Sequence, residues 1–376
     1  MTHRERVLAA LDHRTPDRVP MDLGATIAST MTVKAHQRLQ AHLGLPSGPP
    51  PATFATRSST VLPDEAILRR FHIDTRAVLL GGPDLRPEFE LSENALVDEW
   101  GVTWTRPQGG HYIHTAGPFY GLDEPGVQDL EKCVWPDPAD PGRLRGLRER
   151  ARAIHENTGY AVILNLGVGP IHQCQFLRGW AEFLSDLLVG PAFAEALLER
   201  VSAMWVGITT RALEEAGDFV DLVIFGDDLG AQKTTLIRPE LYRRMVKPHH
   251  QRMVEAARRY GKPVLYHTCG SVYALIPDLI EIGIDALNPI QVAAAEMDTK
   301  RLKREFGRDL AFWGAIDNQQ VLPRGTPEDV RQEVKRRIDD LADGGGYVLC
   351  AAHNLQQDVP PENIVAMYEA ALSYGR

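Results

Sequence analysis

Residues 217–230 read Gly-Asp-Phe-Val-Asp-Leu-Val-Ile-Phe-Gly-Asp-Asp-Leu-Gly. The run 220–226 is short, apolar and closed by glycine, the pattern of a strand buried on both faces. Helical apolar spacing flanks it over 191–217 and 239–260, each stretch with proline near its start and glycine at or just past its end. A buried strand between two such crossovers implies parallel partners on either side. Working outward, comparable runs occur at 19–24, 75–80, 160–166, 263–268, 285–290, 310–314 and 347–351. Further crossovers span 272–283, 299–306 and 326–342, the last opening on the capping sequence Thr326-Pro327-Glu328-Asp329. A short amphipathic helix over 4–11 precedes the first strand. Eight apolar strands, mostly separated by helices, predict an α/β fold of the (β/α)8 TIM-barrel type.

Two regions exceed a minimal barrel. Leu45-Pro46-Ser47-Gly48-Pro49-Pro50-Pro51 reads as a surface loop, and 90–121 as a hairpin inserted near the N-terminal third, carrying Trp100, Trp104, His111 and Tyr112. Such an insertion either helps roof an active site or decorates the surface. No repeat, low-complexity tract or Gly/Ser-rich linker divides the chain, so residues 1–376 are expected to form a single domain. Lys plus Arg number 41 against 50 Asp plus Glu, a net charge of −9, which argues against nucleic acid and anionic membranes as partners. With 44% hydrophobic and 24% charged residues, the composition is that of a folded globular protein rather than a disordered or fibrous one. The N-terminus lacks an apolar run of signal length, and four cysteines (Cys133, Cys174, Cys269, Cys350) suit reduced thiols, so a cytoplasmic location is expected.

Catalytic groups of a barrel belong at the carboxyl ends of its strands. Three ends are chemically unusual. In Tyr266-His267-Thr268-Cys269-Gly270, His267 and Cys269 are two apart on a strand and share a face. Imidazole and thiolate together suit zinc, although a packed His and a small apolar Cys would give the same letters. Asp227 and Asp228 follow the strand 220–226, where unpaired carboxylates are costly to bury. Adjacent side chains diverge, so one of the two is expected to face the mouth, as a displaceable zinc ligand or proton acceptor, unless the pair merely caps a turn. On the last strand Cys350 and His353 bring a second thiol and a second imidazole. Being an odd number apart, they face inward together only if the chain bends at Ala351-Ala352. Gly167-Val168-Gly169-Pro170 lacks the third glycine of a dinucleotide fingerprint, and His249-His250 reads as a solvated helix face.

The strings Gly226-Asp227-Asp228-Leu229-Gly230, His267-Thr268-Cys269-Gly270-Ser271, Phe312-Trp313-Gly314-Ala315-Ile316-Asp317 and His353-Asn354-Leu355-Gln356, with Pro360-Pro361-Glu362-Asn363-Ile364, resemble the uroporphyrinogen decarboxylase superfamily. Within it the chain is more similar to the corrinoid-dependent methyltransferase branch, typified by methylcobamide:coenzyme M methyltransferases. The decarboxylases carry an N-terminal arginine motif for the acidic arms of their substrate, whereas Val19-Pro20-Met21-Asp22-Leu23-Gly24-Ala25-Thr26 holds no arginine. The resemblance implies zinc bound by His267, Cys269 and a late ligand; the register from Pro361 points to His353, and soft-ligand chemistry to Cys350. It also implies methyl transfer between a small thiol, amine or methoxy compound and a corrinoid (cobalamin) carried by a separate protein. The alternatives at this stage are a porphyrinogen decarboxylase, a zinc hydrolase and a non-catalytic metal-binding barrel.

Overall fold

A computed structural model describes residues 1–46 and 50–375. The centre of the Pro-rich stretch, residues 47–49, lies outside them. Seven parallel strands form one curled sheet: β1 (Thr75–Leu79), β2 (Ala161–Val168), β3 (Leu222–Gly226), β4 (Val264–His267), β5 (Ala286–Ile290), β6 (Ala311–Ile316) and β7 (Tyr347–Ala351). They pair in chain order, for example Ile224 opposite Leu265 and Trp313 opposite Val348. The expected eighth strand at 19–24 contracts to a single bridge, Met21 to Leu349. Around it, Leu349 N donates to Pro20 O, Asp22 N to Leu349 O, and Asp74 N to Met21 O. This short segment therefore joins the last strand to the residue before the first. A proline lacks the amide a longer ladder would need, and Gly24 turns the chain away at φ +82°.

Alternation along the strands separates two cores. Ala161, Ile163, Leu222, Ile224, Leu265, Ala286, Trp313, Val348 and Cys350 fill the barrel, and Val7, Ala10 and Leu11 of the helix His3–Leu11 close its floor. Residues at the intervening positions, such as Val223, Phe225, Tyr266, Phe312 and Leu349, pack outward in the larger core that includes the helices. Beneath the floor, the fully buried Asp74 accepts from His3 Nδ1 (2.7 Å), Arg6 Nη1 (2.6 Å), both Nη of Arg18 (2.8 Å) and Met21 N (2.8 Å).

The crossovers follow the sequence reading closely at Pro191–Ala216, Thr299–Phe306 and Pro327–Leu341, where Thr326 and Asp329 form the expected capping box. The 239–260 stretch breaks at Val246 into Pro239–Met245 and Lys247–Arg258, with Pro248 in the first turn of the second helix. The insertion is not a hairpin but a four-stranded antiparallel sheet, Phe89–Ser92, Ala95–Val97, Thr103–Thr105 and Ile113–Ala116, its short strands separated by turns. A second small sheet, Met31–Thr32, Thr53–Ala55 and Thr60–Val61, sits beside it. No helix among the described residues is long and apolar enough to cross a membrane.

Candidate active site

The strand ends and the small sheets enclose a cavity of about 470 Å³. On its barrel wall, His267 follows Leu265 on the inward face of β4. His267 Nδ1 donates to Asn288 Oδ1 of β5 at 2.9 Å, which fixes the ring and leaves Nε2 facing Cys269, whose Sγ lies 3.6 Å away. After β7 the chain bends at Ala352-His353 and brings the His353 ring to 5.8 Å from that of His267, centroid to centroid. One ligand atom from each of His267, Cys269 and His353 lies within 4.8 Å of the others. A nitrogen at about 2.0 Å and a sulfur at about 2.3 Å from one tetrahedral zinc stand roughly 3.5 Å apart. The His267 to Cys269 separation fits that requirement.

The electrostatics suit the same occupant. Burial, with His267 beside it, pushes the His353 imidazole down to about 4. Burial also lowers His267 against the opposing charge of Asp228, so both rings are neutral at pH 7, the form that ligates a metal. Burial, reinforced by Asp228, drives the Cys269 thiol well above its ordinary range. It stays protonated until a cation displaces the proton.

Cys350 is not part of this group. It points inward, as alternation requires, but deeper, fully buried among the barrel-filling side chains with Trp313 and Val348. The bend at Ala352 absorbs the odd spacing, so the two late residues occupy different levels of the barrel.

The two aspartates also part. Asp227, placed with Asp228 among the catalytic candidates by the sequence, turns away from the cavity. Fully buried, it accepts from Ile171 N (2.9 Å) and His172 N (2.7 Å) at the start of the helix Pro170–Arg178 and from His250 Nε2 (2.8 Å). That is an N-terminal capping role, where a carboxylate is favoured. Gly169 makes it possible, since a Cβ there would lie 2.3 Å from the carboxylate. His250, expected on a solvated face, is buried by this contact, and its neighbour His249 is half-buried against Ser202 Oγ at 2.8 Å.

Asp228 lines the cavity. It accepts from Cys269 N at 2.8 Å and stands 3.7 Å from both His267 Nε2 and His172 Nε2. Burial works against its charge, but His172, His267 and the Cys269 amide hold the carboxyl well below the usual range. In return, and again against burial, Asp228 and Asp227 raise the His172 imidazole. Asp227→Asn should cost about 1.5–3 kcal/mol of stability, the size of a hydrogen bond to a charged group, with the cavity intact. Asp228→Asn should also cost stability, since a carboxyl held well below its usual range stabilises the folded state at neutral pH, and should in addition lower the His172 pKa more than Asp227→Asn does. Melting curves and an NMR titration of His172 check both, and equal behaviour of the two variants would contradict the division.

Three residues of the site escape a motif reading: His172 and Arg57, which line the cavity, and Asn288, buried behind His267. His172 lies in the first turn of the helix Pro170–Arg178, just after Gly167-Val168-Gly169, and its signal in the sequence is its place at a strand-to-helix junction. The signal of Asn288 is a polar residue inside a buried strand. Arg57 carries no local signal, because its position depends on the small sheets. The insertion does wall the cavity, through Trp104 and, just before it, Glu88.

The fold and the chain both have relatives. A methyltransferase from Methanosarcina mazei superposes with a TM-score of 0.69 over 100% of this chain and 99% of its own at 17% identity, a likeness of fold. In sequence, the chain is 22% identical to the methylcobamide:CoM methyltransferase MtbA of Methanosarcina acetivorans over 99% of this chain and 98% of that one. It is 23% identical to the methylated-thiol–coenzyme M methyltransferase of Methanosarcina mazei over 76% of this chain and 71% of that one. It is 29% identical to a uroporphyrinogen decarboxylase of Thermus thermophilus over 64% of this chain and 67% of that one. The family described as uroporphyrinogen decarboxylase (URO-D) matches residues 113–374, which take in β2 to β7 and every member of the His267-Cys269-His353 group, and on that match the chain belongs to the uroporphyrinogen decarboxylase family.

Proposed function

We propose that this protein is a zinc-dependent methyltransferase moving a methyl group between a small substrate and a corrinoid carried by a separate protein. The observation that carries the reading is the convergence of His267 Nε2, Cys269 Sγ and His353 on one point of the cavity wall. Three protein ligands with a fourth position facing a cavity is the arrangement of a catalytic rather than a closed structural site. Zinc in such a site supplies Lewis acidity, favouring the deprotonated form of a thiol or polarising an ether oxygen. The residues around it do the rest. Asn288 fixes the tautomer of His267, and Asp228 holds the Cys269 amide. Asp228 is a weak proton acceptor in this setting; its charge instead raises the His172 imidazole beside the cavity, against the effect of burial. Relatives named for methylcobamide and methylated-thiol substrates support transfer over decarboxylation, as does the absence of arginine from residues 19–26. The corrinoid partner, the cytoplasmic location and the choice among thiol, amine and methoxy substrates belong to the same proposal.

Mixing the protein with methylcobalamin or cob(I)alamin, a corrinoid protein and candidate thiols, methylamines or methoxy compounds should change the cobalt absorption spectrum only when zinc is present. Decarboxylation of a porphyrinogen, or a flat spectrum with every donor, would remove the assignment. Zinc uptake itself should depend on pH. With both histidines neutral and Cys269 protonated, binding near pH 7 releases one proton, so affinity should rise about tenfold per pH unit from roughly pH 6 to 8. Calorimetry in buffers of different ionisation enthalpy counts that proton, and a pH-independent affinity would contradict a thiol ligand.

A further inference from the structure

The cavity wall opposite the strand ends bears on the charge of the substrate. Arg57 is the only arginine or lysine among the described residues lining the cavity. Its guanidinium is engaged through Nη2, which lies 3.0 Å from Asp98 Oδ2 and 3.4 Å from Glu88 Oε2. Nε is buried without a hydrogen-bond partner, and the planar group lies 4.3 Å from the centroid of the Trp104 ring. Asp98 is no mobile counter-ion. It is buried, and it accepts from Trp104 Nε1 (2.8 Å) and from the amides of Trp100 (2.9 Å) and Val102 (3.0 Å). One positive group against two carboxylates leaves this wall with a net negative charge. A carboxylate or sulfonate reaching for Arg57 would stand beside Asp98 and Glu88, and like charges held together in a partly desolvated site disfavour binding. Away from the strand-end histidines and Asp228, the lining combines the apolar Ile27, Ala28, Trp104, Val168 and Phe176 with the neutral polar Thr56, Ser58 and Asn354.

We infer that the compound held between Arg57 and the His267-Cys269-His353 wall carries no negative charge away from its reacting group, and is an apolar, aromatic or cationic methyl compound rather than an anionic one. The inference rests on the methyl-transfer reading for the identity of the reacting group, and on the Arg57-Asp98-Glu88 arrangement for the charge. Trp104 fixes one side of that arrangement: its ring supports the guanidinium, its Nε1 holds Asp98, and Phe176 meets it edge-on at 4.8 Å. The insertion thereby sets what the cavity accepts while the barrel supplies the chemistry.

The test uses three probes that share one methyl ether and differ only at the opposite end: methoxybenzene, 4-methoxybenzoate and 4-methoxybenzylammonium. Titrated calorimetrically into the zinc-loaded protein, methoxybenzene should bind at least about tenfold more tightly than the benzoate. Glu88→Gln, at an exposed position, should narrow that gap several-fold by easing the anion. Benzoate binding as tightly as methoxybenzene or as the ammonium, or no binding of either methoxybenzene or the ammonium up to about 10 mM, would overturn the inference. The transfer reading fails separately: a flat cobalt spectrum alongside preserved selective binding would remove methyl transfer and leave the charge preference standing.

Discussion

Cys269→Ser should leave the barrel folded and lower zinc affinity by at least about 100-fold. Changes in groups that only orient a metal ligand cost 10- to 100-fold, and loss of the ligand itself costs more. Serine preserves the hydrogen bond from the residue 269 amide to Asp228, so the loop has no reason to move. What disappears is the soft donor 3.6 Å from His267 Nε2. The matching control is Cys350→Ser, which should keep its full complement of zinc because Cys350 lies in the barrel packing rather than in the cluster. X-ray absorption of the parent should then report one sulfur neighbour. Two sulfurs, or zinc loss in Cys350→Ser with none in Cys269→Ser, would reverse the ligand assignment.

Asp74→Ala should be the most destabilising single change at the floor. The carboxylate is fully buried and gathers Arg6, Arg18 and His3, with Asp17 as the further partner of Arg6. Removing it leaves the buried Arg6 and the partly exposed Arg18 short of their shared counter-charge, and breaking a buried pair in this way costs about 3–5 kcal/mol. The melting temperature should fall by about 4–6 °C. Because Asp74 also accepts from Met21 N, the loss should loosen barrel closure, seen as faster amide exchange at Met21 and Leu349. A melting point within about 2 °C of the parent would show that the cations find other partners.

How far the sequence could be read follows from the range of each interaction. Helices with a local cap and a proline in the first turn, such as Pro327–Leu341, were legible because their determinants lie within one turn. Strands β1 to β7 were legible because a parallel strand covered on both faces must be apolar throughout. The run 19–24 has the same letters, yet only Met21 pairs, since its neighbours are set by contacts with β7 and Asp74. At the site, the two-residue spacing of His267 and Cys269 told their common face. Asp227 and Asp228 differ by one residue and opposite environments: one receives a helix start from 170–178, the other the Cys269 amide. Nothing near 227 in the sequence announces that helix. His172 and Arg57 were missed for the same reason, as each is brought in by another layer.

The bridge between Met21 and Leu349 also governs how the chain can be made. The two residues are 328 positions apart (349 minus 21), so the segment around Met21 receives its partner only after 328 further residues have been made. At about 5–20 residues per second, the wait is roughly 16 to 66 s. Throughout that interval Val7, Ala10, Leu11 and Met21 have no finished barrel to enter. Nascent chains stalled before residue 349 keep an open sheet edge that invites pairing with a neighbour.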